Sequence, residues 1–121
     1  MSNEAAAEPW SFAPEPANRR RGLQAVSIHP RLIVNAAAAA IDSALDGHGI
    51  TRVMSYQVAA DVAAGRLKLI LVQYEPPPIP VHFVMRSSRP VTAKLRSFID
   101  FAAPLLRVGL ARTADLIGAD A

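Results

Sequence analysis

Hydrophobic and polar positions follow two alternating periods along the chain, and each change of period marks a predicted element. Short apolar, β-branched runs are typical of buried strands, whereas apolar residues three and four positions apart indicate one face of a helix. In chain order the pattern predicts a strand at 31–35, a helix from Ala36, a strand at 50–54, a helix from Ser55, a strand at 66–74, an extended crossover at 75–80, a strand at 81–86 and a helix from Thr92. This alternation favours an α/β fold with a largely parallel sheet.

The predicted helices carry recognisable start and stop signals. Asn35 and Ser55 stand at the two strand-to-helix junctions, where a side-chain oxygen can accept a free N–H group of the first turn. Gly47 and Gly49 follow the first helix and Gly65 follows the second. Because glycine adopts the left-handed conformation that closes helices, these residues predict where both helices end.

The last helix has the most regular apolar pattern in the chain. Its apolar face is predicted to contain Leu95, Phe98, Ile99, Ala102, Leu105 and Leu106. Pro104 lies within this pattern, and its ring meets the carbonyl of Asp100, so we expect a kink or the end of the regular helix there. Residues after Gly109 are expected to fray, and 111–121 are interpreted as a tail.

The N-terminal region predicts a mobile segment followed by a hairpin-like pair. Residues 1–9 are small, polar and acidic, which favours disorder. Trp10 and Phe12 share a face if the chain is extended there, and residues 23–28 alternate in the same way. The intervening segment contains two prolines and a run of arginines, and it is interpreted as a loop.

Composition narrows the function classes. The 121 residues include no cysteine, which excludes disulfides, thiolate metal sites and cysteine nucleophiles. Thirteen Lys and Arg against ten Asp and Glu give a net charge of +3, a weak indication of nucleic-acid binding. No apolar run approaches the ~20 residues of a membrane span, and the acidic N-terminus is unlike a secretory signal. We expect a cytoplasmic protein without membrane contact.

Enzymatic and metal-binding patterns are absent from the sequence. His29, His48 and His82 are the only histidines, and their separations match no local metal motif. His48 falls at the end of a predicted helix, where the helix dipole favours partial positive charge, so a structural role is the simpler interpretation. The serines lie in no G-x-S-x-G motif. We therefore predict no catalytic residues, no metal site, no cofactor and no enzymatic activity.

The sharpest charged feature is the run Arg19, Arg20 and Arg21. A solvated loop explains it most simply. The alternative is non-specific contact with phosphate groups, which three charges would make salt-dependent. No recognition helix or aromatic platform accompanies the run, so this alternative ranks below the others.

Seven short motifs occur in an ordered series along most of the chain: W-x-F at 10–12, L-I-V-N at 32–35, G-x-G-I at 47–50, S-Y-Q-V-A at 55–59, A-G-R-L at 64–67, E-P-P-P-x-P at 75–80 and F-I-D-F at 98–101. No single motif is specific. The series at this spacing resembles the C-terminal part of the effector-binding (substrate-binding) domain of LysR-type transcriptional regulators, over about residues 10–108.

The resemblance implies a fold and a domain layout, and the part of the family that it matches does not include the helix-turn-helix. The implied fold is an incomplete, periplasmic-binding-protein-like (type 2) subdomain with a mainly parallel sheet flanked by helices. By this resemblance the layout is a second effector-binding subdomain at 10–74, a Pro-rich crossover at 75–80, and a return strand and helix of the first subdomain at 81–110. The DNA-binding domain and the opening half of the first subdomain would be missing, so we expect no direct operator binding by this chain.

The resemblance also indicates where an effector would bind. It places the second strand-to-helix junction on the effector cleft, and both junctions lie at strand ends where ligands of open α/β sheets gather. Helix N-termini present free N–H groups suited to a carboxylate. The candidate effector-binding residues are Asn35, Ala36, Val53, Met54, Ser55 and Tyr56.

Two functions remain open from the sequence. The first is an effector-sensing fragment that binds a small, carboxylate-containing ligand or mediates dimerisation. The second is a truncated regulator, non-functional or modulatory, that acts only by association with proteins. The expected partners are a small-molecule effector and either a second copy or another LysR-type regulator, because the apolar face of the last helix would otherwise be exposed.

Overall fold

The computed structural model describes residues 8–15, 22–85 and 92–118. Its elements in chain order are β1 (Trp10–Phe12), β2 (Gln24–Val26), α1 (Ala37–Leu45), α2 (Ser55–Ala63), a 3₁₀ turn (Val72–Tyr74) and α3 (Ala93–Gly118). These helices and strands make the described chain α/β in content. The run Arg19, Arg20 and Arg21 lies outside the described residues, so its proposed phosphate contact stays a prediction.

The hairpin-like pair predicted near the N-terminus is confirmed. Strands β1 and β2 pair antiparallel, with Trp10 opposite Val26 and Phe12 opposite Gln24. The rings of Trp10 and Phe12 lie on one face with their centroids 6.5 Å apart, as a spacing of two requires. The Ala13 N–H donates to the Tyr74 carbonyl at 2.7 Å, which ties β1 to the 3₁₀ turn.

Both glycine stops predicted for the first two helices are confirmed. At the end of α1, Gly47 has φ 79° and donates to the Ala44 carbonyl, while the His48 N–H donates to the Ser43 carbonyl at 3.0 Å. The end of α2 repeats this arrangement around Gly65, which has φ 70°. This pair of hydrogen bonds satisfies carbonyls that a helix end would leave without donors. His48 therefore closes a helix through its backbone.

Replacing Gly65 with alanine is expected to destabilise the chain by about 1 kcal/mol, because a Cβ disfavours the left-handed conformation. No atom lies within 4 Å of a Cβ built at this position, so the effect is conformational. Gly109→Ala is the matched control, since Gly109 lies inside α3 and a Cβ there also meets open space. That change should stabilise by about 0.5–1 kcal/mol. Urea titration gives the free energy of unfolding of each variant. A change of the same sign in both variants would contradict the prediction.

The helix predicted from Thr92 is longer than expected. It runs from Ala93 to Gly118 and continues through Pro104, where the sequence predicts a kink or an end. Its last turns include residues 111–118, which the sequence assigns to the tail. The Thr92 Oγ1 accepts the Leu95 N–H at 3.3 Å and caps the first turn. Pro104 removes one backbone hydrogen bond and its ring meets the Asp100 carbonyl, so the helix continues through this position at a cost in stability.

The segments predicted as parallel strands are not paired among the described residues, which contain one two-stranded antiparallel sheet. They are 31–35, 50–54, 66–74 and 81–86, the last described only as far as Met85. The segment at 66–74 is interrupted because Leu71 adopts a left-handed φ of 59° and the next residues form the 3₁₀ turn. Parallel pairing joins segments distant in sequence, so a strand-like pattern in one segment does not ensure a neighbour.

The core is small and lies between the helices. Its buried residues are Ile41 of α1 and Val58, Ala59 and Val62 of α2. Val53, Leu67 and Leu69 pack against this cluster from the segments on either side of α2. Helix α3 packs along α2. The core therefore holds the start of α2 in place, which matters for the candidate site.

Candidate functional site

The first candidate junction, Asn35 and Ala36, lies at the start of α1. The prediction that Asn35 caps this helix is wrong, because the N-cap residue is Ala36 and no side chain accepts a first-turn N–H group. The helix begins one residue later than the pattern suggests, with the Ala40 N–H donating to the Ala36 carbonyl at 3.4 Å. Asn35 and Ala36 are both exposed. No side chain caps the N–H groups of this first turn.

The second junction, from Val53 to Tyr56, lies at the start of α2. The prediction that Ser55 caps this helix is also wrong, since Met54 is the N-cap residue and Ser55 is the first helical residue. The Met54 N–H donates to the Gln57 Oε1 at 3.0 Å, and the Gln57 N–H donates to the Met54 carbonyl at 3.0 Å. Both groups of this reciprocal pair are satisfied. The N–H groups of Ser55 and Tyr56 remain for an external acceptor.

Burial divides the six candidate residues into one anchor and five exposed positions. Val53 is half-buried against the core cluster, whereas the side chains of Met54 and Tyr56 are exposed. Ile41 follows Ala36 by five residues and Val58 follows Met54 by four, so each junction is about one helical turn from the shared cluster. The core thus fixes both helix starts, but no described hydrogen bond joins one junction to the other.

The charged groups near α2 form a structural pair. Arg66 donates through Nε to the Asp61 Oδ1 at 2.9 Å, and the same two side chains form an ion pair. Arg66 also donates its backbone N–H to the Asp61 carbonyl at 2.8 Å, so the pair secures the end of the helix. It lies at the opposite end of α2 from Ser55 and adds no charge to that junction.

Within residues 8–15, 22–85 and 92–118, no group of three or more His, Asp or Glu side chains is placed to hold a metal ion. His48 is exposed in the turn after α1, and His82 is exposed in the segment before α3. Over the same ranges, no helix has the length and apolar character needed to cross a membrane.

Two open surface depressions lie away from the predicted effector residues. One, of about 290 Å³, is at the end of α2 and is lined by Val62, Gly65, Leu67, Lys68 and Leu69. The other, of about 200 Å³, is a groove between the segment 81–83 and α3, lined by Val81, His82, Phe83, Ala103, Leu106, Arg107 and Leu110. The sequence did not indicate this groove as a site. The signal for it is the helical spacing of Ala103, Arg107 and Leu110, which places them on one face.

Comparison with known proteins agrees with the motif series. The family model described as the LysR substrate binding domain matches residues 3–107. The chain is 30% identical over 92 residues to the HTH-type transcriptional regulator PtxR of Pseudomonas aeruginosa. That alignment covers 76% of this chain and 28% of the relative, so the chain spans less than a third of that protein. No solved structure matches the chain.

Proposed function

Because the chain belongs to the LysR substrate-binding domain family, we propose that it is the effector-sensing part of a LysR-type transcriptional regulator and binds a small carboxylate-containing ligand. The family match over residues 3–107 carries this proposal. The match supports ligand sensing as the role of these residues, and we propose neither an enzymatic reaction nor operator recognition for them. We place the protein in the cytoplasm, where such regulators meet their effectors.

The family also implies a periplasmic-binding-protein-like type 2 fold. We propose that the extended segments 31–35, 50–54 and 81–85 join a mainly parallel sheet when the rest of that fold is present. Their exposed apolar side chains support this, because β-branched runs of this kind are stable when both faces are covered. In such a sheet both helix starts would lie at strand ends, where ligands gather.

The start of α2 is the better of the two candidate carboxylate positions. The N–H groups of Ser55 and Tyr56 point out of the first turn, and the helix dipole places partial positive charge there. Val53 anchors the turn to the core, so a ligand would meet a preformed site. The exposed Tyr56 ring offers an apolar surface for the rest of the ligand. Asn35 and Ala36 provide a second position of the same chemistry with no anchored side chain.

Ser55→Asp is expected to abolish carboxylate binding while leaving the fold intact. The new carboxylate would occupy the N–H groups that the ligand needs, and it should stabilise α2 by about 0.3–1 kcal/mol through the dipole. Isothermal titration with a panel of small mono- and dicarboxylates, paired with thermal unfolding, measures both effects. Loss of binding together with unchanged or raised stability supports the assignment.

Ser27→Asp is the matched control, because Ser27 is exposed in the loop after β2 and adds the same charge elsewhere. It should bind the panel as the unsubstituted chain does. A panel member that binds equally well to the chain with Ser55→Asp would contradict the site. The site would also be contradicted if ligand addition shifted the NMR signals only of amides outside residues 35–37 and 53–57.

The second candidate function is association with proteins, acting as a modulatory fragment or as a non-functional remnant. The specific observation that favours it is the large exposed apolar surface of α3, including Phe98, Phe101, Leu105 and Val108. Such a surface marks an interaction site more often than a free face. Measuring association of the chain without ligand separates the two candidates, since association with proteins needs no ligand and effector sensing does.

A further inference from the structure

We draw no further inference here: the strongest candidate, the apolar groove between the segment 81–83 and α3 that is lined by Val81, Phe83, Leu106 and Leu110, carries none because nothing in the part of the chain that the structure describes shows what covers it.

Discussion

Val62→Asp is expected to unfold most of the chain at 25 °C. Val62 is 2% exposed and is the most buried member of a core of four residues. A carboxylate there has no partner in the cluster formed with Ile41 and Val58, and an unpaired buried charge costs at least about 4 kcal/mol. Small domains are stable by only about 5–15 kcal/mol, and a core of four buried residues places this chain near or below the lower limit. The variant should lose its cooperative thermal transition and much of its helical circular dichroism.

Two further variants make this prediction specific to burial. Val62→Ala removes two methyl groups and should cost about 2 kcal/mol, with the transition retained at lower temperature. Ala60→Asp introduces the same carboxylate on the exposed face of α2 and should destabilise by less than about 1 kcal/mol, mostly because aspartate is a poorer helix former than alanine. If Ala60→Asp were as damaging as Val62→Asp, the core would not lie where the structure places it.

Pro104→Ala is expected to stabilise the chain by about 2 kcal/mol. Proline inside a helix costs about 3 kcal/mol, because it has no N–H to donate and its ring meets the carbonyl four residues earlier. Alanine removes that cost but gives the unfolded chain more freedom, which takes back about 0.4–1 kcal/mol. Pro104 is exposed, so little packing is lost. Urea unfolding followed by circular dichroism measures the difference.

Comparing the stabilities of three proline variants separates the backbone effect of Pro104 from side-chain packing. Pro104→Gly should give about 1 kcal/mol less stabilisation than Pro104→Ala, because glycine is the poorer helix former. Pro78→Ala, in the extended crossover, should instead be neutral or slightly destabilising, since no helix bond is gained there. A loss of stability in Pro104→Ala would contradict the prediction, because it would show that the proline stabilises α3.

Sequence patterns predicted the features of this chain that depend on neighbouring residues. The alternation around Trp10 indicated the hairpin pair, and helical spacing indicated α1, α2 and most of α3. The glycines after the first two helices predicted their ends, because a left-handed residue is needed there and glycine adopts it without cost. The motif series indicated the family, which the family model confirms over residues 3–107.

The N-terminal boundaries and caps of α1 and α2 were predicted less well than the helices themselves. Asn35 and Ser55 are good capping residues by composition, but each helix uses the neighbouring position as its N-cap. At α2 the glutamine two residues after Ser55 accepts the Met54 N–H, and this bond sets the boundary. Which of two adjacent residues becomes the cap depends on which backbone groups find partners, and a composition signal does not contain that information.

Local sequence patterns account for the N-terminal strand pair, the three helices with the glycine ends of the first two, and the family. Tertiary structure decided which apolar faces are covered. Four apolar runs resembled strands of one sheet, yet the described residues leave them unpaired, and α3 packs along α2 while its Phe98, Phe101 and Leu105 stay exposed. The physical reason is that burial is a relation between distant parts of a chain or between chains. An apolar pattern shows that a surface needs a partner, whereas only the packed structure shows which surfaces have found one.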